Sequence, residues 1–466
     1  MRGPDPHFPV AHVRPRLGWV NDPNGPIWLQ GRCHLFFQYA PTACPEAGDV
    51  VWGHSSSTDL VTWDIHGTAL QPSAEHPCAQ GFWSGTTVVD DGRLVAFYSA
   101  YRDGDPYQPP RLTISKDAGQ SFRADRFVVG PPAEGGLIFR DPFVWRQHGR
   151  WRLLMGSGRA DWTEAQVRLY ESEDLLNWAE RGVFAALSGQ AADPLDPGSA
   201  WECPQYAPEL GVLFVGAWRP KDAPMAVLAI TGREHESRFD IAQVERADHG
   251  PEFYAPSLMR SPDGRYLLWG VVREARDLDW QRGAGWAGLL SLPREVSMDG
   301  GRLVTLPARE LEGLRLDALH EYEGGLSEVV LAQVPRAFEL HLRCLQPARA
   351  LALTLDLGGD QQLVVHVDGE TGLVVVDRDA SSSDSRACGG RTIVGPLENL
   401  SSQGTLELRW LVDHSVSELF VAGSAVTHRF FPVPAGPWRL RVAAPGARQM
   451  ALRLWPLRAC VRAQPV

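Results

Sequence analysis

Gly31-Arg-Cys-His-Leu-Phe-Phe-Gln-Tyr39 is a turn glycine followed by an apolar run. The chain repeats it four more times: Gly92 before Leu94-Val-Ala-Phe-Tyr98, Gly149 before Trp151-Arg-Leu-Leu-Met155, Gly211 before Val212-Leu-Phe-Val215 and Gly264 before Tyr266-Leu-Leu-Trp269. These glycines stand 53 to 62 residues apart. A second motif keeps similar time in Ser57-Thr-Asp-Leu-Val-Thr-Trp63, Ser115-Lys-Asp-Ala-Gly-Gln-Ser-Phe122 and Ser172-Glu-Asp-Leu-Leu-Asn-Trp178. A unit of about 55–60 residues holding several short runs matches one four-stranded propeller blade with its loops. The spacing predicts an all-β chain, with a five-bladed β-propeller over residues 1–296.

Beyond that point the pattern alternates with period two, as in Phe338-Glu-Leu-His-Leu-Arg-Cys344, Leu351-Ala-Leu-Thr-Leu-Asp-Leu357 and Leu406-Glu-Leu-Arg-Trp-Leu-Val412. Alternation means one buried and one wet face, which predicts a C-terminal β-sandwich over 317–466 after a linker at 297–316. The polar stretch Ala380-Ser-Ser-Ser-Asp-Ser-Arg-Ala-Cys-Gly-Gly390 is expected to be a mobile loop.

Composition excludes several classes of function. With 45 Lys and Arg against 56 Asp and Glu, the formal charge of −11 leaves no basic face for nucleic acid or for an anionic membrane. No apolar run reaches the ~18–20 residues that span a bilayer. The seven cysteines (Cys33, Cys44, Cys78, Cys203, Cys344, Cys388 and Cys460) show neither a zinc spacing nor a disulfide framework. The N-terminus lacks the apolar stretch of a secretory signal. Reduced thiols, a cytoplasmic location, no metal and no cofactor are therefore expected. His12, His34, His54 and His76 fit no ligand motif and are expected to serve as hydrogen-bonding residues.

The polar residues of the repeat carry the chemistry. Asp22 lies nine residues before Gly31, Ser84 eight before Gly92, Asp141 eight before Gly149, Glu202 nine before Gly211 and Tyr254 ten before Gly264. Equivalent places in successive blades converge on one end of a propeller axis, so three carboxylates are expected to meet there. Such a cluster suits glycoside hydrolysis, in which one carboxylate attacks the anomeric carbon or activates water while a protonated one serves the leaving oxygen. Glu202, between Trp201 and Pro204, has the more apolar sequence neighbours and is the expected general acid. Asp22, beside Asn21 and a glycine-bearing turn, is expected to stay ionised as the nucleophile. Asp141 is left to hold sugar hydroxyls in the transition state. Trp19, Trp52 and Trp83 are expected to offer apolar faces to a small sugar substrate. Arg273 and Arg276 read as members of a solvated loop, and Cys203 as a packing residue.

These motifs resemble glycoside hydrolase family 32, the β-fructofuranosidases. The likeness includes WVNDPNG at 19–25, FFQYAP at 36–41, WGHSSSTDLVTW at 52–63, WSG at 83–85, RDP at 140–142, WECP at 201–204, FYAP at 253–256 and SLPRE ending at Glu295. Val412-Asp-His-Ser-Val-Ser-Glu-Leu-Phe420 is similar to the family's C-terminal signature. The resemblance implies a propeller followed by a sandwich, and retention without metal. It implies Asp22 as nucleophile, Asp141 as transition-state stabiliser and Glu202 as acid/base. Asn21, Gln38, Ser84 and Arg140 would contact the fructosyl unit. The implied activity is release of terminal β-fructofuranosyl residues from sucrose, sucrose 6-phosphate or short fructo-oligosaccharides. The alternatives are an inverting furanosidase on a related propeller and a carbohydrate-binding propeller without turnover. Gln205 stands where the family usually has Asp, which would let the acid work at lower pH. The stretch 44–49 lacks a Trp the family often carries.

Overall fold

Leu29 pairs with Arg32 across Gln30-Gly31, Asp90 with Arg93 across Asp91-Gly92, and Gln147 with Arg150 across His148-Gly149. Both central residues of each turn have positive φ (51 and 76°, 49 and 70°, 50 and 80°). That is the two-residue hairpin whose twist matches its strands and which favours glycine in the second place. The repeat glycine is therefore the hinge between the first and second strands of successive sheets. The Ser-x-Asp motif closes later turns: Asp59 Oδ1 accepts from Val61 N and Thr62 N, and Asp174 Oδ1 accepts from Leu176 N and Asn177 N.

The computed structural model describes residues 5–74, 76, 79–189, 195–219, 226–345, 350–397 and 405–462. Strands dominate, and the helix Leu278–Ala284 is the α-helix among these residues. Among the described residues five largely antiparallel sheets follow one another along the first two thirds of the chain, beginning with the strands Gly18–Leu29, Gly81–Asp90, Phe139–Gln147, Ala200–Ala207 and Phe253–Arg260. These five first strands touch in a closed circle, each meeting the next and the fifth meeting the first. Trp286 and Ala287 run parallel to Gly18 and Trp19 and join the last part of the ring to its beginning. The expected boundary at 296 falls inside a hairpin. Arg294–Asp299 and Arg302–Pro307 pair within the fifth sheet, so it runs into the stretch read as linker, and only after Pro307 does the chain leave it.

Two six-stranded sheets form the remainder. Strand Ala350–Gly358 alternates buried and open positions, and leucines and valines from both sheets make one core. The segment 380–390 is not the free loop expected. Ser381 is buried, Asp277 N donates to Arg386 O, and Cys388 N donates to Ala275 O, which ties it to the first part of the molecule. Among the described residues no helix is long and apolar enough to cross a membrane.

Between the two parts lies a buried ionic cluster. His12 sits between Asp413 (2.8 Å) and Glu418 (3.1 Å), and Arg294 bonds Glu418 and Asp248, each at 2.6 Å. Asp413 and Glu418 belong to the C-terminal motif quoted above, so that signature is an interface device. The two carboxylates outweigh the burial that would discharge His12 and hold its pKa up to about 9. A histidine raised in the folded state stabilises it fully below the unfolded value near 6.5, and that stability is lost as pH rises through 9. Wild type is expected to lose melting temperature between pH 7 and 10, and His12→Gln to show a much flatter profile, measured by calorimetry.

Candidate functional site

The ladder between the first and second strands slips near its start in each of the five sheets, and the first sheet slips again between Asn24 and Ile27. The slips fall between Val20 and Pro23, at Ser84, opposite Leu154–Gly156, between Glu202 and Gln205, and between Tyr254 and Ser257. A bulge of this kind re-aims a side chain and is common beside active sites. Asp22, Ser84, Asp141, Cys203 and Ala255 occupy these bulges, and the last three have φ of 63, 47 and 47°. Left-handed backbone costs a non-glycine residue about 1–3 kcal/mol and persists only where the surroundings impose it. The register also corrects the expected equivalence. Cys203 and Ala255, not Glu202 and Tyr254, match Asp141. Glu202 and Tyr254 are the last paired residues before their bulges, as Val20, Trp83 and Arg140 are.

Two of the three carboxylates, Asp22 and Asp141, meet through one thiol, and Glu202 is its chain neighbour. Cys203 Sγ lies 3.8 Å from Asp22 Oδ2 and 3.6 Å from Asp141 Oδ2, while Cys203 N donates to Asp141 Oδ2 at 3.1 Å. Burial and the surrounding carboxylates hold this thiol well above its usual range, so it stays protonated and is a weak donor between two acids. It does more than pack. Asp22 accepts from Asn21 Nδ2 at 2.8 Å and from Ser84 Oγ, and Gln38 Nε2 donates to Ser84 Oγ at 2.8 Å. Ser99, absent from every motif above, accepts from Asp141 N at 2.7 Å.

Glu202 has polar company, contrary to its sequence neighbours. Arg140 donates to Oε1 from Nε (3.0 Å) and Nη2 (2.6 Å), and Tyr254 Oη donates to Oε2 at 2.7 Å. Trp201 is fully buried with its indole N–H on Pro197 O. Gln108 Oε1 steadies Arg140 Nη1 at 3.0 Å, and Arg140 lies 5.7 and 5.3 Å from the rings of Trp83 and Trp218. Asp22 does not keep an ordinary carboxylate affinity. Burial first, then the charges of Asp141 and Glu202, push it up to about 7 despite the Ser84 hydrogen bond. Burial likewise raises Asp141, to about 6, with Arg140 opposing. Asp22 and Asp141 thus take up protons near neutrality, as like charges crowded in a desolvated cup must.

A cavity of about 670 Å³ opens above them. Trp19, Asn21, Asp22, Gln38, Trp83, Glu202 and Tyr254 line it, as do Trp218 and Arg273, which no motif had marked as site residues. Trp83 stacks on Tyr101 at 4.8 Å, with its N–H fixed to Ala47 O. Trp52 offers no face to a ligand: it is 0% exposed, and its N–H holds Trp83 O at 3.0 Å from behind. Where the absent Trp would stand, residues 43–47 form the rim, and the Cys44 thiol reaches Leu278 O and Gln281 Oε1 of the helix.

Arg273 lies 5.3 Å from the Tyr254 ring and Arg276 is buried against Glu274 and Trp286, so neither belongs to a solvated loop. Gln205 is buried and its Oε1 accepts from Leu258 N at 2.9 Å. It stitches the fourth sheet to the fifth, as Asn24 Oδ1 stitches the first to the second through Gly85 N, and faces none of the carboxylates. The expected effect on the acid therefore has no structural basis. No group of three or more metal-type ligands is present among the described residues, and the described cysteines are unpaired. Cys78 lies outside the described residues. His34 and His54 bond each other at 3.0 Å, and His76 bonds Thr113.

Comparison with known proteins agrees with this geometry. The model of the glycosyl hydrolases family 32 N-terminal domain matches residues 12–307, and that of the family 32 C terminal matches 335–450. The chain is similar to sucrose-6-phosphate hydrolase of Klebsiella pneumoniae, at 31% identity over 98% of this chain and 95% of that protein. It is 33% identical to raffinose invertase of Escherichia coli over 66% of each. Its fold is similar to that of a β-fructofuranosidase of Bombyx mori (26% identity, TM-score 0.79, 98% of this chain and 95% of that one). It also resembles the structure of sucrose-6-phosphate hydrolase from Lactobacillus gasseri (23% identity, TM-score 0.82, 98% and 94%). Family models over both parts of the chain and full-length relatives lead to one conclusion: the chain is a glycoside hydrolase and belongs to family 32.

Proposed function

We propose that the protein is a retaining β-fructofuranosidase acting on sucrose and short fructo-oligosaccharides through a covalent fructosyl-enzyme. The observation that carries the reading is that Asp22 and Glu202 line one cavity while Asp141 lies beside Asp22 across the Cys203 thiol. Asp22, bare of its proton, attacks the anomeric carbon. Glu202 gives a proton to the leaving oxygen and later takes one from water. The carboxylate it becomes is received by the Arg140 guanidinium and the Tyr254 hydroxyl, donors already aimed at both its oxygens. Asp141, fixed by Cys203 N, accepts the fructosyl hydroxyls as positive charge builds on the ring. Asn21, Gln38 and Ser84 hold Asp22 in register, and Trp19 and Trp83 wall the sugar.

The five sheets with their circle of first strands are read as the blades of a five-bladed propeller, and the two six-stranded sheets as the sandwich domain. Free cysteines buried in the core, such as Cys33 and Cys460, suit a reducing cytoplasm.

The test follows the first product by NMR, with initial rates on sucrose, sucrose 6-phosphate, inulin-type oligomers and levan. β-Fructofuranose appearing first from sucrose or short oligomers is expected. The α-anomer first would establish the inverting alternative. No release from any of the four substrates would establish binding without turnover.

A further inference from the structure

We infer that Ser99 is a positioning residue for the reaction, setting Asp141 through a single buried hydroxyl. Ser99 lies on the second strand of the second sheet, directly opposite Trp83, and is 0% exposed. Its Oγ accepts from Asp141 N at 2.7 Å and donates to Ser84 O at 2.8 Å, with Asp141 Oδ1 at 3.3 Å. A hydroxyl has one proton and two lone pairs, so it satisfies a carbonyl and an N–H at once. Here both belong to bulge residues of neighbouring sheets.

The consequence is mechanical. Asp141 holds a left-handed φ of 63°, which turns its N–H inward to Ser99 Oγ. Removing the hydroxyl leaves a buried N–H unpaired and lets the bulge relax. Asp141 Oδ2 then drifts from Cys203 N, its other anchor. Ser99 does not itself line the cavity and acts on the reaction through Asp141.

The inference rests on the reading of Asp141 as a working carboxylate, and the experiment separates the two. Ser99→Ala, Ser99→Thr, Asp141→Asn and the double variant Ser99→Ala/Asp141→Asn are compared on sucrose as full-length chains. Ser99→Ala is expected to lower kcat about 10- to 100-fold with KM changed less than about threefold, the size of loss a small misplacement brings. Ser99→Thr, which keeps the hydroxyl, should recover most of it. In the Asp141→Asn background the Ser99→Ala change should cost almost nothing further, because its effect passes through Asp141. Should Ser99→Ala fail to fold, Ser99→Cys, of similar bulk and a poorer donor, serves the same cycle. Wild-type kcat in Ser99→Ala, or losses that simply multiply in the double variant, overturns the inference while leaving Asp141's role intact. A fully active Asp141→Asn overturns both.

Discussion

Asp22→Asn is expected to abolish fructose release, a fall of roughly 10⁴-fold or more as for other acting nucleophile sites, and at the same time to make the protein more stable at neutral pH. The first half follows from losing the attacking oxygen. The second follows from where that oxygen is kept. Burial and two neighbouring carboxylates raise Asp22 to about 7 in the folded chain, against a value near 4 when unfolded. Below pH 4 both states carry the proton and the site costs nothing. Between pH 4 and 7 the unfolded chain ionises freely while the folded one cannot, so stability falls as pH rises through that window. An amide carries no charge and can still accept from Asn21 Nδ2. The melting temperature of Asp22→Asn minus that of wild type should therefore be near zero at pH 4 and grow to several degrees by pH 7.5. An equal gain at both pH values, or none, would mean that the cup does not hold its charge under strain. The same affinity sets an acid limb on kcat/KM well above the ordinary aspartate range.

What could be read in the sequence, and what could not, divides along a physical line. Gly31, Gly92 and Gly149 were visible because a two-residue hairpin needs a residue at ease with positive φ, and that need is local. Asn21-Asp-Pro23, Arg140-Asp-Pro142 and Glu202-Cys-Pro204 stood out because a bulge on the free edge of a first strand tolerates proline, which gives up no ladder hydrogen bond there. The phase of the bulge was hidden. Spacings of eight, nine and ten residues before the glycine do not say which residue is the extra one, so Glu202 was aligned with Asp141 when Cys203 is its true counterpart.

The same blindness misdirected three side chains. Trp52 and Gln205 point away from the cavity, and Glu202 meets Arg140 and Tyr254 from other strands where its sequence neighbours are apolar. Ser99 and Gln108 were invisible for a different reason. Neither belongs to a repeated motif, and the value of each lies in a partner from another sheet. The segment 380–390 misled because a polar composition describes solvation of side chains, while its docking at Ala275 and Asp277 runs through backbone groups.

Glu202→Gln is expected to separate two kinds of substrate. With sucrose, whose departing alkoxide needs a proton as the bond breaks, the rate should fall about 10²- to 10⁴-fold, the usual worth of a positioned acid. With p-nitrophenyl β-D-fructofuranoside, whose phenolate leaves unaided, formation of the fructosyl-enzyme should be nearly as fast as in wild type. Water must then attack without a base, so the covalent intermediate accumulates and a burst of nitrophenol precedes slow turnover. Azide, a nucleophile that needs no deprotonation, should restore the second step and give fructosyl azide. Glutamine retains an oxygen for Arg140, whose guanidinium otherwise has Gln108 as a fixed partner, so the pocket should keep its shape and KM should move little. The charge received by Arg140 and Tyr254 in the native reaction never forms in this variant. Tyr254→Phe, which removes one of those two donors and leaves the proton donor in place, should accordingly slow sucrose more than the nitrophenyl substrate, by a smaller factor. If Glu202→Gln slowed both substrates equally and azide restored neither, the proton would have to come from Asp141. The polar clasp around Glu202 would then be scaffolding alone.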